Sequence, residues 1–472
     1  MVFSSIVFLT FFLPVLLMIY YAVPKRLRGM RNFILLVFSL VFYGWGGPKF
    51  LVLLLLSVAV NYVCGLFAGE RYPKKVRRLA SATAVVLGLG LLGWFKYAGF
   101  FAEILVSLGA HIPIPEVVLP IGISFFTFQG LSYVIDVYRG DARVQKNPLN
   151  VALYVALFPQ LVAGPIVRYT TVEEAVCGRN ESLAEFSSGI VRFLCGLGKK
   201  MILANAMGEI ADGVFAKGVP ELNAALAWVG AIAYTFQIYF DFSAYSDMAI
   251  GLGRMFGFEF LENFNYPYIA KTVTEFWRRW HISLSTWFRD YLYIPLGGSR
   301  CSKARCIFNL AAVWLLTGLW HGAAWTYVLW GAWFLLLLIG ERYLWGGVLR
   351  KAPAPVGHAY TMLAVIFSWV LFRAPSASYA AGYIGAMFGA GGTFSGEAYF
   401  YLRQYLPEFI LCIIASLPVK TAAEGWLKKR EQRPFCGFLQ EWFPVGAALL
   451  MLALSYLKLV TGSFNPFIYF QF

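Results

Sequence analysis

The chain has 472 residues, of which 60% are hydrophobic and only 13% are charged, and its mean hydropathy is +0.66. Soluble proteins carry about 25% charged residues, so this composition excludes a soluble globular chain and indicates an integral membrane protein. The net charge is +15, but the basic residues are scattered among short loops, which is typical of cytoplasmic membrane loops and gives little support to a nucleic-acid partner.

Continuous apolar segments follow one another along the chain, and their continuity predicts spanning helices rather than the alternating strands of a barrel. A span needs about 20 residues, so the segments predict an all-α polytopic protein with roughly 11–13 membrane helices and re-entrant pieces. Their ranges are near 5–22, 32–45, 49–67, 82–108, 117–137, 150–167, 186–205, 224–250, 306–340 (two pieces), 360–373, 405–418 and 444–462.

Two basic loops, Pro24–Arg31 and Glu70–Arg78, lie two crossings apart and predict the orientation of the chain. Lys and Arg concentrate in cytoplasmic loops. We therefore expect both loops in the cytoplasm and the N-terminus outside.

A polar group of residues interrupts the apolar segment near 224–250, in the text FQIYFDFSAYSD. Gln237, Asp241 and Tyr245 lie four residues apart, which places them on one face of a helix. A charge at the bilayer centre costs about 2.5–3.5 kcal/mol, so this face is expected to line a polar interior. Three roles stay open: structural hydrogen bonds, lining of a substrate path, and orientation of a histidine by Asp241.

The interval Lys271–Arg305 is the most informative loop, with seven basic residues against Glu275 and Asp290. Aromatic and apolar residues recur in it at steps of three and four, which predicts one amphipathic helix at the cytoplasmic interface. Its apolar stripe comprises Trp277, Trp280, Leu284, Trp287 and Tyr291. The residues off the stripe include Arg278, Arg279, His281 and Arg289. The helix is either a surface anchor or the wall of a buried cavity, and its arginines suit either phosphate groups of a donor or lipid head groups.

The run Cys306–Gly340 contains no Asp, Glu, Lys or Arg, and His321 lies near its middle. Its 35 residues would form a helix of about 50 Å, whereas a bilayer core is about 30 Å thick. The segment must therefore break, tilt or cross twice, and Gly318 and Gly322 mark the natural break. An ionisable residue at such a break is either a functional group or a hydrogen-bonded core histidine.

Several ordered segments resemble the membrane-bound O-acyltransferase (MBOAT) family, and in particular its bacterial branch that O-acetylates exported polysaccharides such as alginate. Two signatures carry most of the resemblance: WRRWHISLSTWFRDYLYIPLGG and LTGLWHGAAWTYVLWG. The other matching texts are MVFSSIVFLTFFLPV, PIGISFFTFQGLSYVIDVYRG, LFPQLVAGPIVRY, DFSAYSDMAIGLGRMFGF and FIYFQF.

The resemblance implies one polytopic domain over 1–472, with helices in a ring around a central cavity and the motifs in a core over 117–345. It implies catalytic roles for His321 and His281, with Trp280 and Trp320 among the residues that line the cavity. It also implies a cytoplasmic thioester donor, either acetyl-CoA or an acylated carrier protein, and no bound cofactor.

The resemblance further implies the surroundings of the enzyme. The expected location is the bacterial cytoplasmic (inner) membrane, in contact with its lipids. The expected partners are an extracytoplasmic acetyltransferase or esterase-like protein and the machinery that exports the polysaccharide.

Acyl transfer from a thioester needs a base that takes the proton of the attacking hydroxyl. A histidine has an ordinary pKa of about 6.5 and can do this at neutral pH, with a typical gain of about 10²–10⁴ in rate. The apolar run around His321 favours the neutral, basic form of the ring and excludes water. No metal is required, and the seven cysteines show no CxxC spacing that would indicate a metal site.

Other functions stay open from the sequence alone. Within the same family, the acceptor is alginate-like polysaccharide or peptidoglycan, and teichoic acid D-alanylation is a neighbouring activity. Outside it, polytopic helices with intramembrane acids also fit a transporter of acyl groups or small metabolites.

Overall fold

The computed structural model describes residues 1–429, 434–462 and 468, and their regular structure is helical throughout. The closing text FIYFQF therefore lies outside the described residues except for Ile468. The helices of the first half are α1 Leu13–Ala22, α2 Arg28–Gly44, α3 Lys49–Ala68, α4 Lys74–Ser107, α5 Ile123–Arg139, α6 Pro148–Ala156, α7 Phe158–Leu161, α8 Tyr169–Gly178, α9 Leu183–Gly198, α10 Asn205–Phe215 and α11 Ala224–Met255. Those of the second half are α12 Val273–Arg279, α13 Ile282–Phe288, α14 Lys303–His321, α15 Trp325–Tyr343, α16 Gly346–Lys351, α17 Ala354–Arg373, α18 Ala377–Met387, α19 Gly396–Gln404, α20 Leu406–Ala415, α21 Val419–Lys428 and α22 Pro434–Val460.

Four helices of the described ranges are long and apolar enough to cross a membrane, and the bent pair α20–α21 adds a possible fifth span. Other predicted segments form shorter helices, such as α5, or helices in which Trp, Tyr and Gly lower the hydropathy, such as α15. The all-α, multi-pass class is confirmed, while the number of crossings and the ring around a cavity stay predictions.

The chain divides into two compact units, and the first comprises Met1–Phe193 with Ser246–Leu261. Glu181, in the loop between α8 and α9, is the centre of a charged cluster in this unit. Its carboxylate accepts hydrogen bonds from the Tyr20 hydroxyl at 2.5 Å and from Arg28. The guanidinium groups of Arg31 and Arg179 lie 3.2 and 3.7 Å from the same oxygen. Burial alone would raise the pKa of Glu181, but the contacts with Arg28 and Tyr20 and the nearby positive charges lower it to about 2.

The second unit comprises Leu194–Tyr245 and Glu262–Phe472, and tryptophan and phenylalanine rings dominate part of its core. Trp277 on α12 packs against Trp314 on α14, with ring centroids 4.6 Å apart. Trp280, which follows α12, packs against Trp369 on α17 at 4.9 Å. Each edge-to-face or offset ring pair contributes about 0.5–1.5 kcal/mol beyond the hydrophobic stabilisation from its buried area. These contacts hold α12 firmly against α14 and α17.

The prediction of one continuous amphipathic helix through Trp277–Tyr291 is wrong. The helix ends at Arg279, restarts at Ile282 and becomes a π-helix over Arg289–Tyr293. The tryptophan side of the segment is buried against protein. The helical spacing of the apolar residues holds within each helix. Between the two helices, the left-handed backbone of His281 changes the direction of the chain.

Candidate active site

His321 is the last residue of α14, and the apolar run breaks immediately after it. Gly322 is extended and α15 begins at Trp325, so the run forms a helical hairpin, one of the outcomes that bilayer thickness allowed. A Cβ atom on Gly322 would overlap the ring of Tyr327, so only glycine fits this turn without displacing that ring. The break therefore places His321 at the tip of the hairpin.

Two glycines bring the backbones of α14 and α15 into direct contact next to the tip. A Cβ atom on Gly318 would overlap the carbonyl oxygen of Tyr327, and one on Gly331 would overlap that of Trp314. Small residues allow such close approach of helices. The position of His321 is thus fixed by backbone packing and not only by its side chain.

The imidazole of His321 lies among aromatic rings. Its centroid is 5.0 Å from that of Trp320, 5.0 Å from that of Trp330 and 5.1 Å from that of Phe372 on α17. All three rings stand nearly perpendicular to it, and the residue is 7% exposed. The imidazole therefore lies in a buried environment formed in large part by aromatic rings.

His281 occupies the break between α12 and α13 with φ 43° and ψ 54°. A left-handed backbone is uncommon for a residue with a side chain, and such conformations concentrate at functional sites. Asn263 supports the break, because its carbonyl accepts from Ile282 N at 2.9 Å and its side chain accepts from Ser283 N at 3.1 Å. The hydroxyl of Ser283 lies 3.5 Å from Nδ1 of His281.

His281 is 3% exposed and lies outside the helices that qualify as membrane spans. Burial lowers its pKa to about 3. The ring is therefore neutral across the physiological range, so that one of its nitrogens is a hydrogen-bond donor and the other an acceptor.

The structure brings both predicted histidines to one indole ring. The ring centroid of Trp320 is 6.1 Å from that of His281 and 5.0 Å from that of His321, with both imidazoles nearly perpendicular to it. Forty residues separate the histidines in the chain, and sequence alone could not predict this proximity. Trp280 and Trp320 are both buried, at 3% and 4% exposure.

Glu341 is a residue of this region that the sequence did not single out. It lies near the C-terminus of α15, and its carboxylate accepts hydrogen bonds from Val273 N at 2.5 Å, Thr274 N at 2.9 Å and the Thr274 hydroxyl at 2.6 Å. These donors form the first turn of α12. A carboxylate at a helix N-terminus is favourable for both hydrogen bonding and the helix dipole. Glu341 thus joins the hairpin that carries His321 to the helix that leads into His281.

The three arginines expected near a donor are on the more accessible side of this segment. Arg279 donates to Glu275 at 2.9 Å, and Arg289 donates to Asp290 at 2.7 Å. Arg278 and Arg289 are exposed. Arg279 and Arg289 are therefore paired with carboxylates in this structure. The expected contact of the arginines with donor phosphates stays a prediction.

Gln237, Asp241 and Tyr245 all lie on α11 and are buried, at 2%, 1% and 3% exposure. Asp241 pairs with Lys200 at 2.8 Å and also accepts from Ile468 N at 3.0 Å. Its observed partner is a lysine, which supports the structural role, and the orientation of a histidine by Asp241 stays a prediction. Lys200 lies in a π-helical turn, Lys199–Ala204, which directs its side chain toward α11.

Within the ranges that the structure describes, no three His, Cys, Asp or Glu residues are grouped as metal ligands.

Comparison with known proteins shows the family that the sequence resembles. The membrane-bound O-acyltransferase family model matches residues 141–380. The chain belongs to this family and is an O-acyltransferase.

Individual relatives place the chain more closely. It is 42% identical to the probable alginate O-acetylase AlgI of Pseudomonas putida, over the full length of both chains. It is 31% identical to the peptidoglycan O-acetyltransferase of Helicobacter pylori, over 100% of this chain and 98% of that one. A teichoic acid D-alanyltransferase of Bacillus subtilis is 29% identical over 56% of this chain and 69% of its own. The chain thus falls in the alginate O-acetyltransferase branch.

Proposed function

We propose that this protein transfers an acyl group, expected to be acetyl, from a cytoplasmic thioester to a hydroxyl group for the O-acetylation of an exported polysaccharide of the alginate type. His321 is the general base. The observation that carries the proposal is the arrangement of His281 and His321 around Trp320, at centroid distances of 6.1 and 5.0 Å. Full-length similarity to alginate O-acetylases supports the choice of polymer.

The proposed step begins when the oxygen of the acceptor hydroxyl attacks the thioester carbonyl carbon. Neutral His321 takes the hydroxyl proton as the C–O bond forms. The C–S bond then breaks, the acyl group stays on oxygen, and the imidazolium returns its proton to the departing thiolate. The aromatic rings around His321 keep bulk water, a competing nucleophile, away from the carbonyl.

In this proposal His281, which lies next to the Trp320 ring, contacts the thioester donor. Its low pKa keeps the ring neutral, so its role is to hydrogen-bond the thioester and hold it in place rather than to supply charge. The exposed Arg278 and Arg289 are suited to the phosphates of acetyl-CoA or of a carrier-bound phosphopantetheine.

The same proposal includes the place of the enzyme in the cell. The protein is taken to lie in the cytoplasmic (inner) membrane of a bacterium with its N-terminus outside. The acyl group then passes to an extracytoplasmic acetyltransferase or esterase-like partner, and from it to the polymer in the export machinery. The basic loops at 24–31 and 70–78 support this orientation.

The test uses the full-length protein in proteoliposomes with radiolabelled acetyl-CoA or an acetylated carrier protein outside, and with the extracytoplasmic partner and a soluble mannuronate oligosaccharide inside. We expect His321→Ala to lose at least about 10²-fold in thioester turnover, the lower end of a typical general-base contribution. The matched control is His111→Ala, because His111 is exposed in a loop. Near-normal turnover by a correctly inserted His321→Ala protein would refute the assignment.

The acceptor is tested separately. Peptidoglycan fragments replace the mannuronate oligosaccharide in a parallel assay, since the Helicobacter pylori relative is named for that acceptor. Transfer only to peptidoglycan fragments would overturn the choice of polymer while leaving the role of His321 intact.

Membership of an acyltransferase family favours the enzyme over the transporter, and solute flux independent of His321 would argue the reverse.

A further inference from the structure

Two cysteine thiols lie next to each other where the loop before α14 meets the helix. Cys301 is in the loop and Cys306 is in the first turns of α14, and their Sγ atoms are 3.2 Å apart. Both thiols are free. A disulfide requires a sulfur–sulfur distance of about 2.05 Å, so the two atoms need to approach by only about 1.2 Å.

The surroundings of the pair are polar and hold it in place. The thiol of Cys301 donates to the Gly298 carbonyl at 3.4 Å, and Cys306 Sγ lies 3.6 Å from the Ser299 carbonyl. The Asn309 side chain donates to the same Gly298 carbonyl at 3.1 Å and approaches Cys301 Sγ at 3.7 Å. Buried structural cysteines normally lie among apolar atoms. This pair instead has hydrogen-bonding partners for both sulfurs.

The two thiols differ in a way that suits oxidation. Cys306 is in the first turns of α14, where the helix N-terminus stabilises a thiolate. Cys301 is part-exposed in the loop, so a small oxidant reaches the pair from that side. Gly297 and Gly298 both have positive φ, at 113° and 58°, and give the loop a tight return toward α14.

We propose that Cys301 and Cys306 form a redox-active dithiol that closes to an intrachain disulfide on reaction with a peroxide. The Cys306 thiolate attacks one peroxide oxygen, the O–O bond breaks, and the sulfur becomes a sulfenic acid. The Cys301 sulfur then attacks the Cys306 sulfur and displaces hydroxide, which leaves as water with the Cys301 proton. In total, two thiols and one hydrogen peroxide give one disulfide and two waters, and a thiol reductant reverses the change.

The expected location of this loop favours the dithiol form of the pair. The interval Lys271–Arg305 is predicted to be cytoplasmic, where thiols are kept reduced. The disulfide is therefore a transient product of oxidation and not a structural bond. When formed, it fixes the loop with Gly297 and Gly298 to the first turns of α14, the helix that ends at His321.

The experiment uses the full-length protein in detergent, treated with increasing hydrogen peroxide, alkylated with iodoacetamide and digested for mass spectrometry. We expect the peptides with Cys301 and Cys306 to be joined, with a loss of two hydrogens, and to separate after dithiothreitol. The joined product should form at lower peroxide concentration than any oxidation of Cys177, an exposed cysteine that serves as the internal control. Cys301→Ser and Cys306→Ser should each abolish it, whereas Cys177→Ser should leave it unchanged.

Two results would overturn the proposal. One is separate alkylation of Cys301 and Cys306 in the wild-type protein at peroxide concentrations that already oxidise Cys177. The other is a disulfide that joins Cys301 or Cys306 to a different cysteine. Both are read from wild-type protein, so a variant that fails to fold does not affect the conclusion.

Discussion

Replacing Glu181 with glutamine removes the charge on which Arg28, Arg31 and Arg179 converge and keeps the size of the side chain. The pKa of this carboxyl is about 2 in the folded protein against an ordinary 4.5. Each pKa unit corresponds to about 1.4 kcal/mol, so the charged form of Glu181 stabilises the fold by about 3 kcal/mol. Removal of one partner from a buried ion pair typically costs about 3–5 kcal/mol, which agrees with this magnitude.

The sign of the pH dependence follows from the lowered pKa. A carboxyl whose pKa is lowered by folding contributes its full stabilisation above the unfolded value, and the contribution is lost as the pH falls from about 4.5 toward about 2. Wild-type protein should therefore lose stability over this range more steeply than Glu181→Gln. At neutral pH, an unfolding entropy of about 2 cal/mol/K per residue predicts a midpoint about 3 °C lower for the variant.

The assay is thermal unfolding of the detergent-solubilised protein, followed by tryptophan fluorescence at several pH values. Glu174→Gln is the matched control, because Glu174 is an exposed glutamate on α8. Equal midpoints for wild type and Glu181→Gln at neutral pH would refute the reasoning. So would parallel profiles for the two proteins as the pH falls.

Three further predictions concern the candidate site. Glu341→Gln places an amide opposite the backbone donors of α12. We expect membrane insertion to be retained and turnover to fall about tenfold, which corresponds to a rise of roughly 1.4 kcal/mol in the activation free energy. Unchanged turnover would contradict the role of this residue. Gly331→Ala would push α15 away from the Trp314 carbonyl, so turnover should fall and the free energy of unfolding should decrease by about 1–3 kcal/mol. Gly347→Ala is the control, because a Cβ atom there meets no neighbour, and it should change neither quantity. The pKa of His281 is about 3, so the unfolded chain takes up a proton below an ordinary value of about 6.5 while the folded protein does not. Wild-type stability should then fall between about pH 6.5 and about pH 5, and His281→Asn should show a flatter profile in the same unfolding assay.

The break at His321 was accessible from the sequence because simple lengths determine it. A run without charges that exceeds the bilayer thickness must break, tilt or cross twice, and Gly318 and Gly322 mark the natural place for a break. The role of Gly331 is visible only in the structure. This residue of α15 must lack a side chain because the backbones of α14 and α15 touch there.

The relation between the two histidines was not accessible from the sequence. The spacing of tryptophans predicted one straight helix, and nothing in the text WRRWH signals a left-handed residue at its end. Glu341 was equally hidden, since a glutamate directly after an apolar run resembles an ordinary helix end. Both features depend on contacts between segments distant in the chain, such as Thr274 with Glu341, and a single sequence does not record them.

The left-handed backbone of His281 allows its effect on stability to be measured separately from its proposed role in the reaction. Asparagine tolerates this conformation better than histidine does, and it carries no imidazole. His281→Asn should therefore be at least as resistant to heat as the wild type at neutral pH and still be a poor catalyst. Such a trade-off between stability and activity is typical of residues retained for chemistry, and it would allow His281 to be recognised as functional from stability measurements made without any substrate.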